Sequence, residues 1–286
     1  MYDLKRLQNK GLEMLQAIHD ACEKLGIRYY IMYGTLLGAV RHNGFIPWDD
    51  DVDICMTRED YDIFIEKGQQ YLPENFQIQH FTTEADCPNI YAKVRDCNTT
   101  FLSREHVDLD INHGIFVDVF PVERIKSSGA AFYLEYLRRK IFVVMNSCCD
   151  QAYVDSIIRK RSKVIGWFVH NVINKIFVQP SRSAFLKRED SRRRKLHEKG
   201  DDCAFLTVTP LKKTTIPYSV FGEPVLYQID GKFFYGPKDY DFLLRSQYGN
   251  YMQLPPEDQR VTHQPILVDF EKGFSREEIK ETEFIH

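Results

Sequence analysis

The strongest constraint on this chain is an alternation of charge and apolarity near residue 50. In Asp51-Val52-Asp53-Ile54-Cys55-Met56 two carboxylates lie two residues apart within an apolar run. That is the period of a β-strand, on which residues i and i+2 share a face. Asp51 and Asp53 therefore project side by side, while their apolar neighbours turn toward a core. Carboxylates held this close repel each other, and a cation between them relieves the repulsion. A hard divalent ion, Mg²⁺ or Mn²⁺, suits an all-oxygen site and brings a di- or triphosphate with it. A surface turn or a helix cap is the other reading of an Asp-rich run. Here the pair follows a Gly34-Thr35 turn and Pro47-Trp48 and sits inside a strand pattern, which favours the metal. Asp49 and Asp50 shape the loop or add charge behind the pair.

Gly34-Thr35 closes a preceding strand and opens a short helix, TLLGAVRHN. Glycine lets a phosphate approach the backbone, and the free N–H groups of a helix start favour an anion. A third carboxylate, Asp118, lies in the apolar stretch Ile115–Phe120. It joins the pair if the two strands are neighbours; otherwise it is a satisfied core carboxylate. A metal held by such a cluster neutralises phosphoryl oxygens and orients an in-line attack.

Around this segment the pattern predicts an amphipathic helix over 4–25, capped by Asp3 and ended by Gly26, with one turn of the apolar stripe skipped at Gly11. Strands are expected at 28–33, 51–56, 76–81, 90–94 and 115–120, and helices at 58–70, 128–199 and 238–247, with short strands beyond 200. The order is that of an α/β fold with a mixed sheet and an additional helical region. Seven cysteines with no C-x-x-C spacing argue against a disulfide framework or a cysteine zinc site, and the adjacent Cys148-Cys149 reads as packing. No apolar stretch suits a signal peptide or a membrane span, so a cytoplasmic protein is expected. Net charge is only −3, yet residues 124–199 hold 18 Lys/Arg against 6 Asp/Glu. That excess points either to a polyanionic partner or to a solvated basic face. It carries no nucleic-acid-binding motif, so no nucleic acid is expected.

Gly34-Thr35 followed by Asp51-x-Asp53 resembles the signature of the nucleotidyltransferase fold. The longer string GTLLGAVRHNGFIPWDDDVDI, residues 34–54, is similar to the hallmark of the LicD family, which includes fukutin-related proteins. Lys93-Val94-Arg95-Asp96 with Thr99-Thr100, the run Phe116–Pro121, and the tail from Tyr248-Gly249-Asn250-Tyr251 through Leu254-Pro255-Pro256 to His263 agree with it. The resemblance implies a nucleotidyltransferase-like mixed sheet flanked by helices. Residues 1–125 would be the catalytic core, 126–200 a mostly helical basic region, and 201–286 a C-terminal segment that packs back and completes the site. It also implies an activity: transfer of a phospho-alcohol, most readily phosphocholine from CDP-choline, to a hydroxyl of a lipopolysaccharide, teichoic acid or capsule-type glycan. The competing readings are a nucleotidyltransferase that adds NMP to a small molecule and a non-catalytic nucleotide- or glycan-binding protein.

On this reading Asp51 and Asp53 hold the metal on the donor pyrophosphate, and Asp118 either completes the metal shell or accepts the proton of the attacking hydroxyl. Gly34 and Thr35 bind phosphate. Lys93 and Arg95, two apart on one strand face, neutralise the leaving cytidine phosphate or form a surface cation pair. Arg41 and His42 end the short helix beside the loop, where His42 touches substrate or orients the loop. Trp48 offers an aromatic face to a quaternary ammonium headgroup. The family often has two adjacent histidines where this chain has His263-Gln264-Pro265, so His263 acts at the site or fixes the loop. The stretch Val164–Val178, around Trp167 and Phe168, lies on a membrane surface at its inner face or packs as a core helix.

Overall fold

A computed structural model of the chain describes residues 2–126, 128–147, 182–200, 202–205 and 215–281. Helix α1 (Leu4–Leu25) starts where the Asp3 side chain accepts the Arg6 N–H at 3.0 Å and stops at Gly26, which takes the left-handed φ of 66°. Its buried stripe includes Leu7, Leu15, Ile18 and Cys22. The skipped turn has a reason. A β-carbon on Gly11 would come within 2.8 Å of the Val52 side chain, so α1 packs there directly on the Asp-x-Asp segment.

The remaining elements follow in order: β1 (Tyr30–Ile31), α2 (Tyr33–His42), β2 (Asp53–Thr57), α3 (Arg58–Lys67), β3 (Phe76–Gln79), β4 (Ala92–Asp96), β5 (Thr100–Leu102), β6 (Phe116–Ile125), α4 (Gly129–Ser147), α5 (Arg182–His197), β7 (Asp202–Phe205), β8 (Thr215–Ile216), β9 (Val225–Ile229), β10 (Lys232–Gly236), α6 (Tyr240–Tyr248), β11 (Leu267–Asp269) and α7 (Arg276–Glu281). The main sheet runs β1-β2-β6-β4-β3, with β7 and then β8 added along the second half of β6. Only β2 and β6 are parallel. The result is the expected α/β fold, a mixed sheet flanked by helices. Ile216, Phe221, Phe234, Leu243 and Tyr251 share one hydrophobic core with the sheet and α1, so the described C-terminal elements pack on the same body.

Several boundaries differ from the pattern. The strand expected over 28–33 shortens to β1 because Tyr33 enters α2 with a φ of 47°. The strand expected from Phe76 to Phe81 ends at Gln79, where a turn closes with Thr83 N–H donating to the His80 carbonyl at 2.9 Å. Strand β2 begins at Asp53, but the Val52 carbonyl still accepts the Asp118 N–H at 2.9 Å, so the ladder reaches back one residue.

Helix α5 reads RSAFLKREDSRRRKLH and has no apolar stripe to bury. Its inward positions are Leu186, Asp190, Arg193 and His197; Leu186 and Phe185 pack into a small apolar cluster with Phe81, Cys87, Ile90 and Phe142, and ion pairs hold the rest of the helix. Arg58 of α3 meets Glu123 of β6 at 3.1 Å and also Asp190. Arg139 of α4 meets Glu123 at 3.3 Å and Glu135 at 2.8 Å, and Arg192 meets Glu135 at 2.5 Å. Within the described part of 124–199, Arg139, Arg192, Arg193 and Arg194 are thus paired with carboxylates within the protein. Cys148, Cys149 and the stretch Val164–Val178 lie outside the described residues. No helix among the described residues is long and apolar enough to cross a membrane.

Glu123, 1% exposed, is the acceptor for both Arg58 and Arg139. Glu123→Gln leaves two buried guanidinium groups short of a counter-charge and should cost about 3–5 kcal/mol, read as a lower urea midpoint. A loss below about 1 kcal/mol would show that the network is not what holds α4 and α5 to the sheet.

Candidate active site

The sheet register lays out the site. Asp53 of β2 is opposite Asp118 of β6, and Lys93 of β4 is opposite Asp118 from the other side. The three form one rung across three strands, and all are buried. Directly opposed side chains stand on the same face, about 5 Å apart. Lys93 Nζ donates to Asp118 Oδ1 at 2.5 Å and lies 3.5 Å from the centre of the Phe116 ring. Arg95, on the same face, donates from Nε to Gln79 Oε1 at 2.7 Å and from Nη1 to the Gly114 carbonyl at 2.6 Å. Both cations are therefore engaged within the protein, and neither lines the cavity described below.

Helix α2 supports the rung from its first turn. The Thr35 hydroxyl oxygen accepts the Asp53 N–H at 2.9 Å, and Met32 N–H donates to the Asp53 carbonyl at 2.9 Å. Tyr33 holds a left-handed conformation that is costly for a non-glycine residue and tends to occur at functional sites. The Asp49 carboxylate fills the space a β-carbon on Gly34 would take, so a larger residue there would have to displace it.

The loop between α2 and β2 is clamped from outside. Gln8 of α1, itself buried, donates to the Ile46 and Asp49 carbonyls at 3.1 and 2.9 Å. Asp50 turns away from the rung and accepts from Tyr2 Oη at 2.8 Å and from the His263 N–H at 3.1 Å. His263 Nδ1 lies 2.7 Å from Asp50, and its Nε2 lies 3.8 Å from Asp51. His263 thus spans two consecutive carboxylates.

A cavity of about 620 Å³ opens over this arrangement. Asp49, Asp51, Asp53 and Gly34 form one part of its wall, and Arg41, Trp48, Tyr248, Tyr251 and the Pro255-Pro256 loop form another. His42 sits edge-on to Trp48 and accepts from Arg41 Nε at 3.0 Å, which places it beside the loop. Of the residues singled out from the sequence, Gly34, Trp48, Arg41, Asp51, Asp53 and His263 meet at the cavity. Thr35, Lys93, Asp118 and Arg95 support it from the sheet side.

The carboxylates crowd one another. Burial, then the charge of Asp51, pushes Asp49 up to about 8. Burial and the charges of Asp51, Asp118 and Asp49 raise Asp53 well above the usual carboxylate range, with Lys93 pulling the other way. Asp51 is raised chiefly by burial and by Asp118, against the pull of His263. Asp50 differs: burial would raise it, but hydrogen bonds from His263 and Tyr2 hold it below its ordinary value. His263 is correspondingly raised to about 9 by its bond to Asp50. Three carboxylates that resist ionisation together form a site that favours a cation.

A mixed sheet with an Asp-x-Asp strand start, a glycine-led helix and a third carboxylate on the adjoining strand defines a nucleotidyltransferase-type domain. Residues 26–142 match the family described as LicD/FKTN/FKRP, nucleotidyltransferase domain. It is similar to the lipopolysaccharide cholinephosphotransferase LicD of Haemophilus influenzae, at 27% identity over 91% of this chain and 95% of that protein. A shorter segment, 17% of this chain and 10% of the relative, is 53% identical to the ribitol 5-phosphate transferase FKRP of Homo sapiens and of Mus musculus.

The sequence reading did not find Tyr2, Gln8 or Arg260. For Gln8 there was a signal: it falls on the α1 stripe between Leu4 and Leu15, where an apolar residue is expected. Tyr2 and Arg260 carry no local signal, because their partners are 48 and 212 residues away from them in sequence.

The His263–Asp50 pair sets a pH dependence. His263 has a folded-state pKa raised from 6.5 to about 9, so its contribution to stability is full below about pH 6.5 and is lost as pH rises through 9. Asp50 is depressed, so its contribution persists until pH falls through the carboxylate range. The melting-temperature gap between the wild type and His263→Gln should be widest near pH 6 and close by pH 10; a gap that is flat with pH would contradict the pairing.

Proposed function

We propose that this chain is a metal-dependent phosphotransferase that moves a phospho-alcohol group, phosphocholine from CDP-choline, onto a hydroxyl of a cell-surface glycan such as lipopolysaccharide. The carrying observation is that Asp51 and Asp53 line a cavity large enough for a nucleotide, with Asp118 and Lys93 behind Asp53 on one rung of the sheet. The family match supports the reaction class, and the printed activities of the relatives support phospho-alcohol transfer.

A divalent metal fits the donor set. Among the described residues no three carboxylate, imidazole or thiol groups stand gathered as a finished metal cage. Mg²⁺ does not need one: it commonly takes one or two carboxylates and completes its shell with substrate phosphate and water. Asp51 and Asp53 would hold it, and their crowded, desolvated charges are what it would relieve. When bound, the ion supplies charge neutralisation on the donor's phosphoryl oxygens. The α2 start at Gly34 gives those phosphates backbone access. Asp118, with one oxygen tied to Lys93, keeps its second for the proton of the attacking hydroxyl. Lys93 orients the Asp118 carboxylate. The rings of Tyr33 and Tyr248, on the cavity wall with the carboxylates, offer faces to a quaternary ammonium headgroup.

The test is incubation with Mg²⁺ and, separately, CDP-choline, CDP-ribitol, CDP-glycerol and CTP. Release of CMP from a CDP-alcohol is expected. Asp53→Asn should lower that rate by about 10²-fold or more while far-UV circular dichroism stays the same. Pyrophosphate release from CTP, or full activity in Asp53→Asn, would overturn the proposal.

A further inference from the structure

The cavity contains a second charged feature that the carboxylates do not use. Arg41, in the last turn of α2, lines it beside Trp48. Its Nε donates to His42 Nε2, and its Nη1 donates to the Tyr251 carbonyl at 2.7 Å. Both acceptors are uncharged, and among the described residues no carboxylate pairs with this guanidinium. Arg260 stands over the Trp48 ring, with Cζ 5.1 Å from its centre, and donates from Nε to the Pro255 carbonyl at 2.9 Å. Its carboxylate neighbour among the described residues is the exposed Glu257, 3.8 Å away.

The two guanidinium groups are close enough to act on each other. Burial first, with the charge of Arg260 adding to it, lowers the Arg41 pKa. Tyr248 lines the same cavity; desolvation and the charges of Asp53, Asp49 and Asp51 raise its phenol, and Arg41 pulls it down. Seven residues of helix separate Gly34 from Arg41, about 10 Å at 1.5 Å per residue. Arg41 on the cavity wall with Trp48, and Arg260 over the Trp48 ring and bonded to Pro255 of the same wall, have no strong counter-ion between them; such cations favour an anion, and guanidinium forks match the oxygens of phosphate.

We propose that Arg41 and Arg260, grouped around Trp48, form a subsite for a phosphate-type oxyanion about 10 Å along α2 from the glycine turn. Its place in the reaction rests on the transfer reading above. Both phosphates of the donor belong at the glycine turn, so the source of this oxyanion is a phosphate substituent on the glycan acceptor. A choline cation is disfavoured at this end of the cavity and belongs nearer the carboxylates.

The subsite can be tested without turnover. The chain has two tryptophans, Trp48 and Trp167, and Trp48→Phe isolates the signal of Trp48. The protein, in EDTA to remove divalent ions, is titrated with inorganic phosphate, CMP and glucose 6-phosphate while tryptophan emission is followed. A saturable change that Trp48→Phe abolishes is expected. Its midpoint should rise about tenfold in Arg260→Gln, and likewise in Arg41→Gln, the loss of one charge-assisted contact. Arg260→Lys should fall between Arg260→Gln and the wild type. Glucose 6-phosphate should bind more tightly than CMP; tighter binding of CMP would overturn the assignment to the acceptor. A flat wild-type titration, or equal midpoints in the wild type and a folded Arg260→Gln, overturns the subsite. Wild-type CMP release with a flat titration sinks this inference alone. A saturable titration without CMP release sinks the transfer reading alone.

Discussion

The site depends on the register between β2 and β6. Because these two strands run parallel with Asp53 opposite Asp118, two carboxylates from distant parts of the chain are fixed on one rung. Moving β2 by one residue would turn Asp53 to the other face and bring an apolar neighbour into its place. The third member of the rung, Lys93, arrives from the antiparallel β4 and neutralises one of the two charges. What remains is a local excess of negative charge in a desolvated place. Folding keeps that excess because the strands around it are packed, and the proposed function uses it to hold a cation.

The rung would serve little if the loop above it were loose. Three connections hold that loop from different parts of the chain: Gln8 of α1 on its backbone, Tyr2 on Asp50, and His263 from the tail on Asp50. The N-terminal helix and the C-terminal segment thus meet across the Asp49–Asp51 stretch. On the far side of the sheet a different device operates. There the buried pairs around Glu123 attach α4 and α5 without an apolar stripe on α5. Such pairs are poor sources of net stability but strongly penalise misplacement, since any lost partner leaves a buried charge.

The sequence made the central motif legible because its signal is local: carboxylates at strand spacing after a glycine turn. Helix α1 and the strand containing Asp118 were legible for the same reason. Lys93 and Arg95 were seen to share a face, yet their partners, Asp118, Gln79 and Gly114, are set by strand pairing that periodicity does not encode. The basic excess in 124–199 was visible, but its partners among Glu123, Glu135 and Asp62 lie on other elements, so the sequence could not separate a solvated face from a buried network. The β5–β11 pair joins residues 100–102 to 267–269, a contact without a local signature.

The central claim is that Asp51 and Asp53 share a divalent ion with the donor's phosphates. The most direct measurement is Mn²⁺ binding followed by electron paramagnetic resonance, with and without CDP-choline, in the wild type and in Asp51→Asn. Free Mn²⁺ signal should fall sharply only when the nucleotide is present, to a stoichiometry of one ion per chain, and the fall should vanish in Asp51→Asn. Mn²⁺ uptake that ignores the nucleotide, or that survives Asp51→Asn unchanged, would contradict the account.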